Sequence, residues 1–391
     1  MYIELTEAQR AFREDVRAYL ARLVTKEVVD EVRSGPGGGG PLYHSVLQQM
    51  GKDGWLGISW PIEYGGQERP AVEQYLFFDE VQRAGFALPF LTLNTVGPTL
   101  MKFGTDEQRS KFLPRILVGR CHFSIGYTEP NAGTDLASLT TRAERDGDDY
   151  VINGQKAFTS LASYADYIWL AVRTDPTVPK HKGISIFIVD TKLPGVEITP
   201  IHTLGGHPTY ATYYENVRVP ASMLVGELNG GWKLITNQLN HERIALSSFG
   251  HVARHFEETL LWAKETKLEN GKRVIDEPWV QINFAKVYAH LETLRLHCFR
   301  QAWNVERGVL DPAQASAVKV WSTEGFMTTY RLLLEIVGAG GTVGRGSPDT
   351  YLSGWLENMY RGALVLTFGG GTNEVQRDII AGAGLRMPRD R

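Results

Sequence analysis

Apolar positions recur every three or four residues over the first 120 residues. They shift to short β-branched and aromatic runs between 121 and 226, and return to helical spacing from Gly231 onward. Thr6-x-x-Gln9 is a capping-box signature, and the amphipathic run behind it predicts a helix to about Val32. Ser34 to Pro41 (SGPGGGGP) reads as a flexible loop. Helical pattern also covers about 43–53, 70–84 and 92–103, and a second box, Thr105-x-x-Gln108, opens a helix that ends near Gly119. In the middle stretch, Asp146-Gly147 and Asn153-Gly154 are hairpin signals beside Tyr150-Val151-Ile152, and further strands read over Tyr167–Val172 and Ile184–Val189. No helical pattern alternates with these strands, which excludes a Rossmann unit. Long helical segments follow at about 231–267, 277–308, 312–338 and 373–384. The pattern predicts an N-terminal α-helical domain (1–120), a middle antiparallel β domain (121–228) and a C-terminal four-helix bundle (229–391).

Composition narrows the function classes. Of 391 residues, 43% are hydrophobic and 22% charged, a globular profile that argues against disorder. Lys+Arg total 41 against 44 Asp+Glu, so no basic excess exists to neutralise a nucleic-acid backbone. Two distant cysteines, Cys121 and Cys298, exclude a disulfide framework and a Cys-based zinc site. No basic-then-apolar leader and no long apolar run is visible, so the expectation is a reduced, soluble, cytoplasmic protein without a membrane span.

Several constellations carry chemistry. The helix predicted from 231 has an apolar stripe at Trp232, Ile235, Leu239, Leu246, Phe249, Ala253, Phe256 and Leu260, and position 242 of that stripe is glutamate. Burial raises a carboxyl pKa and suits it to general-base work; the plain alternative is an ion pair with the adjacent Arg243. Phe368-Gly369-Gly370-Gly371-Thr372-Asn373-Glu374 lets backbone approach a ligand at a helix start, or is simply a flexible turn. Gly338-x-Gly340-Gly341-x-x-Gly344 follows a helix rather than a strand, so it reads as a helix C-terminal turn near a ligand, not a dinucleotide fingerprint. His251 and His255 stand i, i+4 without an HExxH glutamate and read as a solvated pair; no metal site is assigned. Neither a Walker loop nor a G-x-S-x-G elbow occurs. Tyr127 to Asp135 (YTEPNAGTD), rich in hydroxyls, small residues and acids, is either a polar ligand loop or a well-capped turn.

Four ordered motifs resemble the acyl-CoA dehydrogenase family: YTEPNAGTD at 127–135, Val151 to Lys156 (VINGQK), Asn216 to Pro220 (NVRVP) and Gly371 to Arg377 (GTNEVQR). The resemblance spans essentially the whole chain and implies the acyl-CoA dehydrogenase fold. It also implies FAD bound between the β domain and the bundle, a subunit interface completing the site, and electron-transfer flavoprotein as acceptor. By position, Ile125, Tyr127 and Thr128 would line the flavin, Phe158 and Ser160 stand at further flavin positions, Thr372 and Glu374 match flavin contacts after the glycine loop, and Thr134 and Arg243 fall to the acyl-CoA side. The reaction implied is α,β-dehydrogenation of an acyl-CoA thioester: a carboxylate removes the α proton, the β hydride goes to flavin N5, and a flavin ribityl hydroxyl and the backbone N–H of Gly370 stabilise the developing enolate.

Two departures sharpen this. Most family members carry the catalytic glutamate where this chain has Gly370; a minority, including isovaleryl-CoA dehydrogenases, place it on the first bundle helix before an arginine, as Glu242-Arg243 stands here. Homotetrameric members carry Arg-x-x-Phe-Gly where this chain has Lys267-Leu268-Glu269-Asn270-Gly271, so a homologous partner subunit is expected to supply the lost contact. HFSIGYTEP (122–130), NQLNHER (237–243) and TFGGGTNEVQRDII (367–380) are similar to the Glu-bearing subunit of actinobacterial α2β2 acyl-CoA dehydrogenases of steroid side chains, and imply a bulky steroid-CoA substrate. The small residues Ser247, Ser248 and Gly369 to Gly371 leave room for it. The alternatives are an acyl-CoA oxidase, which usually has a further C-terminal domain, and a non-catalytic structural subunit.

Overall fold

Both capping boxes form in the computed structural model, which describes residues 4–34, 39–236, 238, 249–309 and 311–388. Thr6 Oγ1 accepts the Gln9 N–H at 3.2 Å while Gln9 Oε1 accepts the Thr6 N–H at 3.0 Å, and Thr105 and Gln108 repeat the exchange. The N-terminal helices are α1 (Glu7–Leu23), α2 (Lys26–Ser34), α3 (Pro41–Lys52), α4 (Ala71–Ala84), α5 (Gly97–Phe103) and α6 (Asp106–Leu117), with a π-helical stretch, Leu91–Val96, leading into α5. The run expected to continue to Val32 breaks at Val24, whose φ of −95° and ψ of 79° cap α1. Two successive β-branched residues, Val24 and Thr25, weaken the helix there. Residues 35–38 of the SGPGGGGP loop lie outside the described residues.

The middle domain is a sheet of β1 (Phe123–Gly126), β2 (Arg142–Asp146), β3 (Asp149–Lys156), β4 (Tyr167–Arg173), β5 (Ile184–Asp190), β6 (Val196–Ile201), β7 (Thr209–Pro220) and β8 (Leu224–Val225), in the order β6-β7-β3-β2-β4-β5-β8 with β1 beside β4. Most neighbours are antiparallel, but β1 runs parallel to β4, and β2 meets β4 in parallel at Arg142↔Arg173. β1 enters from the helical domain and reaches β4 by a long crossover, where no hairpin constrains direction. Asp146-Gly147 makes the β2–β3 turn. Asn153-Gly154 does not turn the chain: it is a bulge within β3, at which the register against β7 shifts. Gly154, at φ +144°, lies so near Thr141 that a Cβ would sit 2.7 Å from its Cα.

Strands β4 and β5 are buried on both faces, hence their unbroken apolar sequence. One face, including Trp169, Ile184 and Ile186, shares a core with Phe112, Phe123 and Leu100; the other, with Ile168, Leu170 and Phe187, packs with Tyr150 and Val217.

The C-terminal domain starts with helical residues 231–236, then α7 (Gly250–Glu265), α8 (Pro278–Glu306), α9 (Pro312–Val337), α10 (Trp355–Ala363) and α11 (Asn373–Ile379). α10 adds a helix beyond those the periodicity predicts; its apolar face, with Trp355, Leu356 and Ala363 buried, is only nine residues long and lies among glycine-rich flanks. Gly250 lets α7 seat on α4: a Cβ there would lie 2.1 Å from the Asp79 carbonyl oxygen and 3.0 Å from the Arg83 nitrogen. Gly250→Ala should therefore lower stability by about 1–3 kcal/mol in denaturant unfolding. Gly362→Ala in α10, whose Cβ would meet the Gly205 oxygen at an ordinary 3.6 Å, should cost nothing in the same assay.

Candidate active site

The 127–135 loop leaves the end of β1 and is fixed from inside by Glu129. Its Oε1 accepts from Lys156 Nζ at 2.8 Å and the Thr141 N–H at 2.8 Å; its Oε2 accepts from the Thr140 N–H at 2.7 Å and hydroxyl at 2.8 Å. Lys156 Nζ also donates to the Tyr127 carbonyl at 3.1 Å. Both side chains are buried. Burial alone would push the Glu129 carboxyl up, but the Lys156 ammonium and these hydrogen bonds outweigh it and hold the group at about 2. Glu129 is thus an ionised internal anchor with its lone pairs occupied, unsuited to taking a substrate proton.

That anchor presents the residues singled out at the ends of β1 and β3. The Ala157 N–H donates to the Thr128 carbonyl at 2.8 Å, and the Ser124 hydroxyl donates to the Ser160 carbonyl, so the segments carrying Ile125, Tyr127, Thr128, Phe158 and Ser160 meet where β1 and β3 end. Phe158 has φ +58° and is 61% exposed. An aromatic residue in the left-handed region is strained, and here the strain turns a flat apolar face outward. Ser160 is exposed, 3.4 Å from the Thr209 hydroxyl. The Tyr127 hydroxyl accepts from the Trp169 indole at 3.2 Å and donates to the Gln238 side-chain oxygen. Thr134 lies farther out on the loop and is exposed, next to Asp135, which pairs with Lys180 at 3.0 Å.

The glycine loop joins α10 to α11. Phe368 is 58% exposed, and Gly370 and Gly371 have φ of +69° and +95°, which demands glycine or strain. Thr372 caps α11, its hydroxyl accepting the Val375 N–H at 3.3 Å. Its own backbone N–H and the Thr372 hydroxyl hold the exposed Glu374 carboxyl below its ordinary value. The loop is not a free turn: Lys319 of α9, which stands in none of the sequence motifs, donates to the Thr367 carbonyl at 3.2 Å, the Gly371 carbonyl at 2.7 Å and Asn373 Oδ1 at 2.8 Å.

Of the stripe around position 242, Ile235, Phe249 and Ala253 are buried and Trp232, Phe256 and Leu260 partly so. Leu239, Glu242, Arg243, Leu246, Ser247 and Ser248 lie outside the described residues. The histidine pair is not solvated. His255 is buried and its Nδ1 meets the Tyr330 hydroxyl at 3.2 Å; His251 meets Gln82 at 3.1 Å and packs on Phe326. Burial drives both imidazoles down, His251 to about 4, so they serve as neutral packing groups. Among the described residues no His/Cys/Asp/Glu cluster could hold a metal ion, and no helix is long and apolar enough to cross a membrane. Gly338, at φ +73°, ends α9. Lys267 to Gly271 forms a tight turn after α7, with the Leu268 N–H bonded to the Lys272 carbonyl at 2.8 Å.

Three family models match in order: the acyl-CoA dehydrogenase N-terminal domain over residues 6–120, the middle domain over 124–217 and the C-terminal domain over 229–385. The chain is 52% identical to acyl-CoA dehydrogenase FadE26 of Mycobacterium tuberculosis, covering 100% of this chain and 99% of that one. The chain belongs to the acyl-CoA dehydrogenase family. Among solved structures, the ChsE4-ChsE5 complex from Mycobacterium tuberculosis and the Tcur3481-Tcur3483 steroid ACAD each superpose with a TM-score of 0.93 at 52% identity, over 100% of both chains. As an acyl-CoA dehydrogenase the chain is an oxidoreductase acting on CH–CH bonds.

Within this acyl-CoA dehydrogenase the missed residues, Lys156 and Lys319, both serve loops that carry motif residues. Lys156 stands in the quoted VINGQK segment, but nothing in the sequence pairs it with Glu129. The carboxyl of Glu129 titrates near 2 when folded against its ordinary 4.5, so its contribution to stability is complete above about 4.5 and fades as pH falls toward 2. The stability lead of wild type over Glu129→Gln should shrink through that acid range in thermal unfolding. Lys156→Met, which strands the carboxylate, should cost about 3–5 kcal/mol at pH 7.

Proposed function

We propose that the chain is the base-bearing subunit of an FAD-dependent acyl-CoA dehydrogenase that oxidises the CoA thioester of a steroid side chain to its 2-enoyl-CoA, with Glu242 as the general base. The observation that carries the reading is the glycine loop. Position 370, where most of the family keeps its base, is glycine at φ +69°, so the acid must come from elsewhere, and the sequence offers Glu242 on an otherwise apolar stripe.

The ends of β1 and β3 fit FAD: the strained, exposed Phe158, the Ser160 hydroxyl and the backbone beside Ile125, Tyr127 and Thr128 offer a flat apolar face with polar contacts, and Thr372 and Glu374 offer further contacts from the bundle. When bound, FAD supplies the hydride acceptor at N5. Glu242 takes the α proton, the Gly370 N–H steadies the enolate oxygen, and Thr134 and Arg243 hold the acyl-CoA. Electron-transfer flavoprotein then serves as the acceptor. The steroid substrate is supported by the Tcur3481-Tcur3483 steroid ACAD and by the absence of a side chain at Gly369 to Gly371.

A homologous partner completing an α2β2 assembly is supported by both complexes above and by the surface of α8. Ile282, Ala289, Leu296 and Trp303 recur every seven residues, all exposed, with Trp279 beside them and Trp321 of α9 also exposed. Such a stripe is costly to leave in water.

Glu242→Gln should keep FAD and the fold yet lose at least ~10²-fold in turnover, the scale of a lost general base; near-wild-type turnover would sink the assignment. Bleaching of the flavin absorbance by substrate without oxygen, with slow recovery in air, supports a dehydrogenase, whereas rapid recovery means an oxidase. Co-expression with a homologous subunit carrying Arg-x-x-Phe-Gly should yield a yellow α2β2 complex that prefers a steroid-CoA to octanoyl-CoA. A fully flavinylated homotetramer active alone, or equal turnover of octanoyl-CoA, counts against the partner or the substrate respectively.

A further inference from the structure

The buried lysine of α9 invites a more specific role. Lys319 is 1% exposed. An ammonium so deeply placed is strongly disfavoured unless its N–H groups are met, and an ammonium has three. Among the described residues three acceptors are set around one feature: the Thr367 carbonyl before the three glycines, and the Gly371 carbonyl and Asn373 side chain after them. The neighbouring turn of α9 reinforces the exit. Asn373 Nδ2 donates to the Thr323 hydroxyl and to Glu324, each at 3.1 Å, and Arg377 pairs with Glu324 at 2.7 Å. On the entry side the Gly369 N–H donates to the Val365 carbonyl at 2.7 Å.

Three consecutive glycines carry the largest backbone entropy a loop of this length can have. A hydrogen-bond donor for a developing oxyanion is effective only if it is already in place, and a displacement of about 1 Å can cost 10²-fold in rate. We propose that Lys319 is a positioning residue: by clasping both ends of the glycine loop to the rigid α9, it holds the Gly370 N–H where the enolate oxygen develops. This rests on the reading of Gly370 given above. Lys319 touches neither substrate nor cofactor in this role; it acts through the loop.

Lys319→Met keeps the length of the side chain and removes its three donors. In the co-expressed, FAD-loaded complex assayed with a steroid-CoA, the variant should lose about 10- to 10²-fold in kcat with KM little changed, since the lost interaction is made in the transition state. FAD content should hold, and amide hydrogen exchange should accelerate at residues 369–372 while the rest of α9 stays protected. Lys319→Gln, which keeps an amide donor on a shorter stem, should fall between wild type and the Met variant. Unchanged exchange in the loop, or exchange raised throughout α9 with FAD lost, overturns the positioning role, as does failure of both variants to fold, which would make the lysine a structural group. Faster loop exchange with an unchanged kcat would show that the clasp exists but that the Gly370 N–H is not used, which defeats the reading of Gly370 and with it the role in the reaction.

Discussion

The buried pair of Glu129 and Lys156 is the constraint on which the sheet side of the site depends. Removing two charges from water is recovered only when geometry and extra hydrogen bonds are good, and here the carboxylate accepts four bonds and the ammonium also reaches the Tyr127 carbonyl. The arrangement ties the loop after β1 to β3 and to the start of β2 at once. Tyr127, Thr128 and Phe158 owe their placement to it, because the Ala157 N–H can meet the Thr128 carbonyl only if both segments are held.

A second buried ammonium performs the matching task in the bundle. Lys156 and Lys319 stand on a strand and on a long helix, and each uses fixed donors to restrain backbone that its own side-chain sequence would leave loose. Rigid elements thus carry the anchors, and loops carry the residues that face outward. This division allows glycine at 369–371 without surrendering precision.

Much of the fold was legible because periodicity is a local property. The helical–β–helical order, both capping boxes and the existence of β4 and β5 all follow from short-range pattern. What escaped depends on partners remote in sequence. Asn153-Gly154 carries turn chemistry, yet β7 lies alongside and converts it to a bulge. His251 and His255 resemble a surface pair until α4 and α9 cover them. The parallel β1–β4 pairing leaves no local mark. For the site, the family resemblance points to Tyr127, Phe158 and Thr372 by position, whereas Lys156 and Lys319 show themselves only when carbonyls from other segments converge on them. Glu242 rests on the apolar stripe and the family resemblance, and Arg243 on the resemblance, since both lie outside the described residues.

The pairing of β1 with β4 bears on how the molecule comes together in time. The His122 N–H bonds Asp166, 44 residues ahead, and Phe123 then aligns with Tyr167. The intervening chain includes the β2–β3 hairpin, a local contact that forms quickly, whereas closing β1 onto β4 requires a long loop to lose its freedom first. The 127–135 loop is therefore shaped late, after the hairpin exists to supply Lys156. A nascent chain that has emerged only as far as β3 holds YTEPNAGTD and VINGQK but not the strand that β1 pairs with, so the loop takes its shape with β4 rather than with its own sequence.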